Sequence, residues 1–307
     1  MTKPVSAQPR SEDRSSIAGI RLTHPDKILF PEAQLTKRDL AAYYAAIGKR
    51  MMPHVAGRLI SLVRAPDGAG GETFFQRHVG ATLPKVFRRV TFKEEEGERR
   101  DYMMLADASG LVAAAQFSAL EIHIWGSRID QLEKPDRIVF DLDPDAGLGF
   151  AAVREAAFDL RQVLEALGLT SYPMITGGKG VHVVLPIRRK HDWESIGGFA
   201  SAVAERLAKA EPGRFVASMS KAKRKGKIFI DHFRNRMFAT AIAPYSSRAG
   251  SAATIACPFS WEELRETQRA DAFTIRDASE LLKKPDPWHG YFELQQYVDA
   301  QVLRAVD

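Results

Sequence analysis

Between Arg137 and Asp231 short apolar runs alternate with two long amphipathic stretches, an order that few folds accommodate. R-I-V-F-D-L-D, S-Y-P-M-I-T, V-H-V-V-L-P-I and K-I-F-I-D read as strands. A helix from about Phe150 to Leu167 separates the first two, with Val153, Leu160, Val163, Leu164 and Leu167 on its apolar face and Gly168 as its stop. The tight turn G-G-K-G joins the second strand to the third, and a helix from about Asp192 to Ala210, on Trp193, Ile196, Phe199, Val203 and Leu207, precedes the fourth. This β-α-β-β-α-β succession predicts a ferredoxin-like (RRM-like) unit within an α+β chain.

The first strand carries the chemistry. Side chains at i and i+2 of a strand share a face, so Asp141 and Asp143 stand side by side while Phe140 and Leu142 face the other way. Two carboxylates so placed repel each other, which suits a hard divalent cation better than a dry core. Pro144 has no N–H to give and ends the ladder. On its own, D-x-D-P also fits a strand end with solvated acids. Asp231 closes an apolar strand as Asp141 does and is the third candidate ligand; three acids can hold two ions roughly 3.5–4 Å apart. In the ideal ferredoxin-like plan the last strand runs antiparallel to the first, so Asp231 need not lie beside Asp143, and register must decide.

The segment Thr176 to His182, T-G-G-K-G-V-H, offers what a triphosphate needs beside such a site. Gly177 and Gly178 let backbone N–H groups approach phosphate oxygens, Thr176 brings a hydroxyl, and Lys179 and His182 can donate. The Walker A spacing is absent, and G-G-K-G alone is also a plain hairpin turn.

The flanks say less. T-K-R-D at Thr36 nearly makes a capping box, opening a helix on Leu40, Tyr43, Tyr44, Ile47 and Met51 that Pro53 and Gly57 close. Leu59 to Arg64 and E-I-H-I-W-G read as strands, the latter with Glu121 and His123 on one face; a lone histidine there fits a structural role as well as a functional one. Adjacent Phe74 and Phe75 must face opposite ways, in core packing on both faces or with one free to stack on a base. F-K-E-E-E-G-E-R-R-D reads as a solvated hairpin tip. The Ser220 to Lys227 run, with Lys221, Lys223 and Arg224, is a backbone-phosphate contact or a solvated loop.

Whole-chain properties narrow the class. In 307 residues of which 45% are hydrophobic there is material for a real core, and a net charge of +6 biases the surface towards polyanions without identifying one. A single cysteine, Cys257, excludes an intrachain disulfide and a multi-cysteine zinc site, and reads as a small buried hydrophobe. No apolar run approaches the roughly 20 residues of a membrane span, so a cytoplasmic place of action is expected. Residues 1–17, polar and Ser/Pro-rich, read as a disordered leader or interdomain linker.

The order D-x-D, then [ST]-G-G-x-G-x-H, then a strand-terminal Asp resembles the archaeo-eukaryotic primase superfamily, and in detail the polymerase domain of bacterial ligase D. T-H-P-D-K-I-L-F-P-E, T-K-R-D-L-A-A-Y-Y, F-F-Q-R-H, P-Y-S-S-R-A-G and P-D-P-W extend the likeness over most of the chain. The resemblance implies a primase-like domain over 18–307: an N-terminal α/β subdomain to about 130, a metal-binding core over about 131–250, and C-terminal elements beyond. It implies that Asp141, Asp143 and Asp231 bind two Mn²⁺ or Mg²⁺ ions, and that Thr176, Gly177, Gly178, Lys179, His182 and Arg248, with His123 and Arg234 nearby, hold an incoming ribo- or deoxyribonucleoside triphosphate. It also implies that Lys27 and Lys37 grip a downstream 5′-phosphate and that Phe74 and Phe75 form a template-base platform. The implied work is templated addition at gapped or broken DNA in bacterial end joining, near the nucleoid, with ligase and nuclease modules of the same polypeptide and a Ku-like protein as partners. Thr176 stands where the family commonly has Ser, and His24 where Asn would be common.

Two rival readings remain at this point. A haloacid dehalogenase-type phosphatase would use Asp141 as nucleophile and Asp143 as general acid, although Pro144 and Asp145 replace its usual Gly-Thr continuation. A nucleic-acid binding module without catalysis would have no use for three intact carboxylates.

Overall fold

The computed structural model describes residues 16–80, 86–94 and 97–299. The expected succession forms a six-stranded sheet. Its strand order is Phe215–Val216, Ile228–Asp231, Arg137–Pro144, Val181–Pro186, Tyr172–Ile175 and Cys257–Pro258. Arg137–Pro144 runs antiparallel to both of its neighbours, the arrangement of the split βαβ plan. Helices Phe150–Ala166 and Trp193–Ala210 cover one face, burying Ile138, Phe140 and Leu142 against Leu160, Leu164, Phe199 and Val203. Asp192 caps the second of these, its side chain accepting from the N–H of Ser195.

The other face is apolar at one end only. Val139, Met174 and Val184 pack there with Ala241, Ile242, Trp288 and Tyr291. Beyond Val139 the same face presents Asp141 and Asp143, as the two-residue period requires.

A second sheet runs Thr240–Ile242, Ala119–Trp125, Ile60–Arg64, Arg99–Leu105 and Phe87–Lys93, and Phe74–Gln76 pairs with Ile60–Arg64. The two sheets exchange strands along the chain: Thr240–Ile242 joins the sheet built mainly from earlier residues, while Cys257–Pro258 returns to the first. Behind the second sheet lie helices Lys37–Val55 and Ala108–Gln116. The first opens on a true capping box between Thr36 and Asp39, and Pro53 sits within its last turn rather than beyond it.

The leader expected over 1–17 lies outside the described residues up to residue 15; Ser16–Ile17 already pairs with Ile20–Arg21 in a small hairpin. The acidic hairpin tip is bounded by the paired strands Phe87–Lys93 and Arg99–Leu105, with residues 95 and 96 outside the description. Cys257 is buried and free, its thiol pushed up by burial, as a small hydrophobe would be.

Candidate active site

Asp141 lies opposite His182 on one neighbouring strand and opposite Asp231 on the other, so the three side chains form a row across the sheet on one face. Asp143 follows two residues on, opposite Phe229. Carboxylate oxygens of Asp141, Asp143 and Asp231 come within 4.8 Å of one another. Register resolves the topological question: the Asp231 strand overlaps only Asp141 to Pro144, so its last residue meets the first of that overlap. Upstream, Asn235 substitutes for the missing strand by bonding both the N–H and the C=O of Val139 at 2.8 Å.

Nitrogen donors surround the acids. His182 Nε2 is 3.3 Å from Asp141 Oδ1, and Arg234 Nη2 reaches Asp141 Oδ2 at 3.3 Å and Asp231 Oδ2 at 3.0 Å. Burial raises the Asp141 pKa, but His182, Arg234 and Arg248 outweigh it and hold the group below the usual carboxylate range. Burial and then the charge of Asp141 push Asp143 the other way. Burial and a like charge two residues away both disfavour a bare Asp143 carboxylate, and a bound cation would relieve both. Three clustered oxygen donors in that condition fit a hard divalent cation.

The Thr176 to His182 turn lies against this strand. A Cβ on Gly180 would meet Leu142 O at 2.6 Å and Asp143 Oδ1 at 3.5 Å, and Gly177, at φ +72°, would meet Ile255 O at 2.5 Å. These two glycines allow the close approach; Gly178 is exposed and unconstrained. The Thr176 hydroxyl is engaged within the turn, donating to Gly180 O at 3.1 Å and accepting from Gly180 N–H at 3.2 Å. Lys179 is exposed at the tip.

On the second sheet Glu121 organises another group of donors. It accepts from His123 Nε2 at 2.7 Å, from Arg248 Nε at 3.2 Å and from the Ala249 N–H at 2.9 Å. Burial opposes its charge, yet these contacts keep its pKa low. Sequence reasoning placed Glu121 beside His123 but gave it no task; a carboxylate two residues from a histidine on one strand face was the available signal.

Phe74 and Phe75 are 41% and 48% exposed, so neither packs in the core; the strand that carries them pairs along Leu62 to Arg64. Phe74 lies under the Arg64 guanidinium and Phe75 meets the edge of His123. A cavity of ≈ 480 Å³ opens among Phe75, His123, Asp143, Arg224, Asp231 and Arg234. The basic loop divides: Arg224 stacks on Phe229 at 3.6 Å and lines the cavity, while Lys221 and Lys223 point to solvent.

Lys27 and Lys37 lie apart from the acids. Lys37 is buried and donates to Thr23 O at 3.0 Å, its pKa lowered by burial and by Lys27. Lys27, with His24, Pro25 and Asp26, lines a shallow cavity of ≈ 450 Å³ and touches Asp67. His24 has φ +50°, a left-handed conformation that Asn adopts more readily.

Residues 36–288 match the family model described as LigD, primase-polymerase domain. The chain belongs to that family. It is 34% identical over 294 residues to the multifunctional non-homologous end joining protein LigD of Pseudomonas aeruginosa, covering 95% of this chain and 35% of that protein. It is 29% identical over 266 residues to the bifunctional non-homologous end joining protein LigD of Bacillus subtilis, covering 86% of this chain and 43% of that protein. The chain thus spans roughly a third to two fifths of these LigD relatives. The polymerase domain of Mycobacterium tuberculosis ligase D, solved in complex with DNA, superposes with a TM-score of 0.81 at 30% identity, over 89% of this chain and 97% of that one. A LigD primase-polymerase domain is a nucleotidyltransferase, with a fold and acidic cluster that suit divalent metal chemistry, and the phosphatase reading is set aside. No helix among the described residues is long and apolar enough to cross a membrane.

Proposed function

We propose that the chain is the polymerase of a bacterial end-joining apparatus, adding ribo- or deoxyribonucleotides to a primer terminus opposite a template at gaps and double-strand breaks. The observation that carries this reading is the Asp141–Asp143–Asp231 cluster, of which Asp143 and Asp231 line a cavity together with Arg234, His123 and the exposed Phe75, with His182 beside Asp141. Asp141, Asp143 and Asp231 would hold two ions, Mn²⁺ or Mg²⁺, which when bound supply an activated 3′-hydroxyl and charge compensation for the departing pyrophosphate.

The protein's own groups do the rest. Arg248, aimed by Glu121, and Lys179, at the tip of the glycine turn, would bind the triphosphate tail, and the Gly177 and Gly178 backbone would lie along it. His182, 3.3 Å from Asp141, would donate to a phosphate oxygen once the nucleotide is bound. Arg234 bridges two of the carboxylates and would shift towards the nucleotide as their charge is compensated. Phe74 and Phe75 would stack on template bases. Lys27 and Lys37 would receive a downstream 5′-phosphate. Arg224 is the member of the basic loop positioned to meet the primer-template, while Lys221 and Lys223 would add backbone contacts of lesser strength.

Further catalytic modules joined to this chain are supported by the relatives' names, multifunctional and bifunctional non-homologous end joining protein. Ligase and nuclease as those modules, a Ku-like end-binding protein and a cytoplasmic, nucleoid-associated place of action belong to the same proposal by the family resemblance. Extension of a labelled primer on a gapped duplex tests it, with and without a 5′-phosphate, in Mn²⁺ and in Mg²⁺, with both sugar types. Templated addition that requires Asp141 and strengthens with the 5′-phosphate is the expected result. DNA binding without any addition would leave the binding-module reading in its place.

A further inference from the structure

The strand that ends in Asp141 and Asp143 begins at Arg137, roughly 13 Å away at 3.3 Å per residue, and a second cationic centre sits around that beginning. Arg58, 2% exposed, forks onto Asp136 at 2.5 and 2.7 Å, and Arg128 Nε adds a third bond to the same carboxylate at 3.0 Å. The acceptor capacity of Asp136 is largely taken by these two. Arg137 is itself buried at 4% exposure, and its Nε has no partner among the described residues. Its charged neighbours Arg58, Asp136 and Arg128 line one open cavity of ≈ 360 Å³ together with Tyr291. Arg188 and Arg189 line the same cavity; Arg189 pairs with Asp130, and Arg188 is exposed with no side-chain partner among the described residues.

Among the described residues, then, five guanidiniums stand near two carboxylates: Arg58, Arg128 and Arg189 hold both, and Arg137 is buried without a bond at its Nε. Buried charge left in that state is costly unless something supplies the counter-charge. A single carboxylate would fall short of the excess. A phosphoryl group carries up to two charges and several acceptor oxygens, and arginine forks match its geometry. The cavity is of small-ligand size, and Tyr291 and the exposed Phe292 form one wall. We infer that this cavity is a further anion site, distinct from the triphosphate site and from the Lys27 pocket, which takes a phosphoryl anion through Arg128, Arg188 and Arg189. The anion has two possible sources: free phosphate or pyrophosphate, or the backbone of a nucleic acid passing over this face.

The test uses the 307-residue chain with Lys27→Ala/Lys179→Ala/Arg248→Ala as background, so that phosphate binding at the nucleotide site and at the Lys27 pocket is removed. In that background inorganic phosphate or pyrophosphate, against chloride at matched ionic strength, should raise the thermal midpoint by several degrees. Adding Arg188→Ala/Arg189→Ala should abolish the rise; both are surface residues whose loss spares the core. In a parallel arm, duplex DNA binding is measured against salt with and without the Arg188→Ala/Arg189→Ala pair. No response to phosphate, but a salt slope lowered by about 1–2 units, identifies nucleic-acid phosphate as the occupant. A phosphate response that survives the pair, or no response together with an unchanged slope, overturns the assignment.

Discussion

Asp141 and Asp231 stand directly opposite each other on adjacent antiparallel strands, and Arg234, three residues beyond Asp231, ties the two carboxylates together. Neither acid nor arginine is near Asp141 in sequence. The cluster depends on a four-residue overlap between two strands, which makes it sensitive to register and insensitive to most substitutions elsewhere.

Removing one charge from that cluster should separate activity from stability. Asp143→Asn relieves the repulsion from Asp141 and should leave metal-free stability unchanged or slightly higher. It should also lower primer extension by on the order of a thousandfold, since several kcal/mol of metal-borne stabilisation would be lost. Mn²⁺ should raise the melting temperature of the wild type and have little effect on the variant; chelation with EDTA should erase the difference. An Asp143→Asn protein that still extends primers at the wild-type rate would remove Asp143 from the site.

The two glycine positions beside Lys179 should respond unequally. Gly180→Ala forces a Cβ to within 2.6 Å of Leu142 O, displacing the turn from the Asp143 strand. A loss of about 1–3 kcal/mol in denaturant unfolding and a raised nucleotide KM are expected. Gly178→Ala meets nothing closer than the Thr176 hydroxyl at 3.7 Å and should be nearly silent in both assays.

Glu121→Gln should act through Arg248 and His123 rather than on the reaction itself. With the carboxylate gone, the guanidinium loses its anchor, and nucleotide KM should rise about tenfold, or about 1.4 kcal/mol, with a smaller change in kcat. Steady-state kinetics on a fixed primer-template gives the split. A fall in kcat alone would contradict a positioning role.

Exposure of Phe74 and Phe75 makes their substitution a clean probe of DNA contact. Phe75→Ala should change unfolding free energy by less than about 0.5 kcal/mol. Affinity for a template overhang should fall by roughly 1–3 kcal/mol if a base stacks there. Fluorescence anisotropy with and without the overhang reads this directly.

His54 should make stability fall in acid. It is buried among Trp288, Tyr291 and Phe292, and burial, then Arg137, Arg58 and Arg128, lower its pKa to about 3. The unfolded chain takes up a proton near pH 6.5 and the folded protein does not. This contribution is therefore whole above pH 6.5 and declines by about 1.4 kcal/mol per pH unit down towards pH 3. His54→Phe should flatten that part of a urea-unfolding profile, whereas an unchanged slope would assign it to carboxylates such as Asp136.

Most of the first sheet was legible in the sequence because its signals are local. The period of two that pairs Asp141 with Asp143, the apolar stripes of helices Phe150–Ala166 and Trp193–Ala210, and the Thr36 cap each depend on a few neighbouring residues. The motif order was enough to indicate the family that the comparisons then established.

What joins distant segments was decided by tertiary structure. Of the two readings open for Phe74 and Phe75, core packing fails because both rings stay largely exposed beside Arg64 and His123, and the Thr176 hydroxyl was drawn into its own turn by Gly180. The bond of Asn235 to Val139, the hold of Glu121 on Arg248 and the arginines gathered around Asp136 have no signature within a window of sequence. A side chain's face follows from local backbone geometry, which the residues themselves dictate. Its partner follows from strand register and sheet packing, which are settled only when the whole core closes.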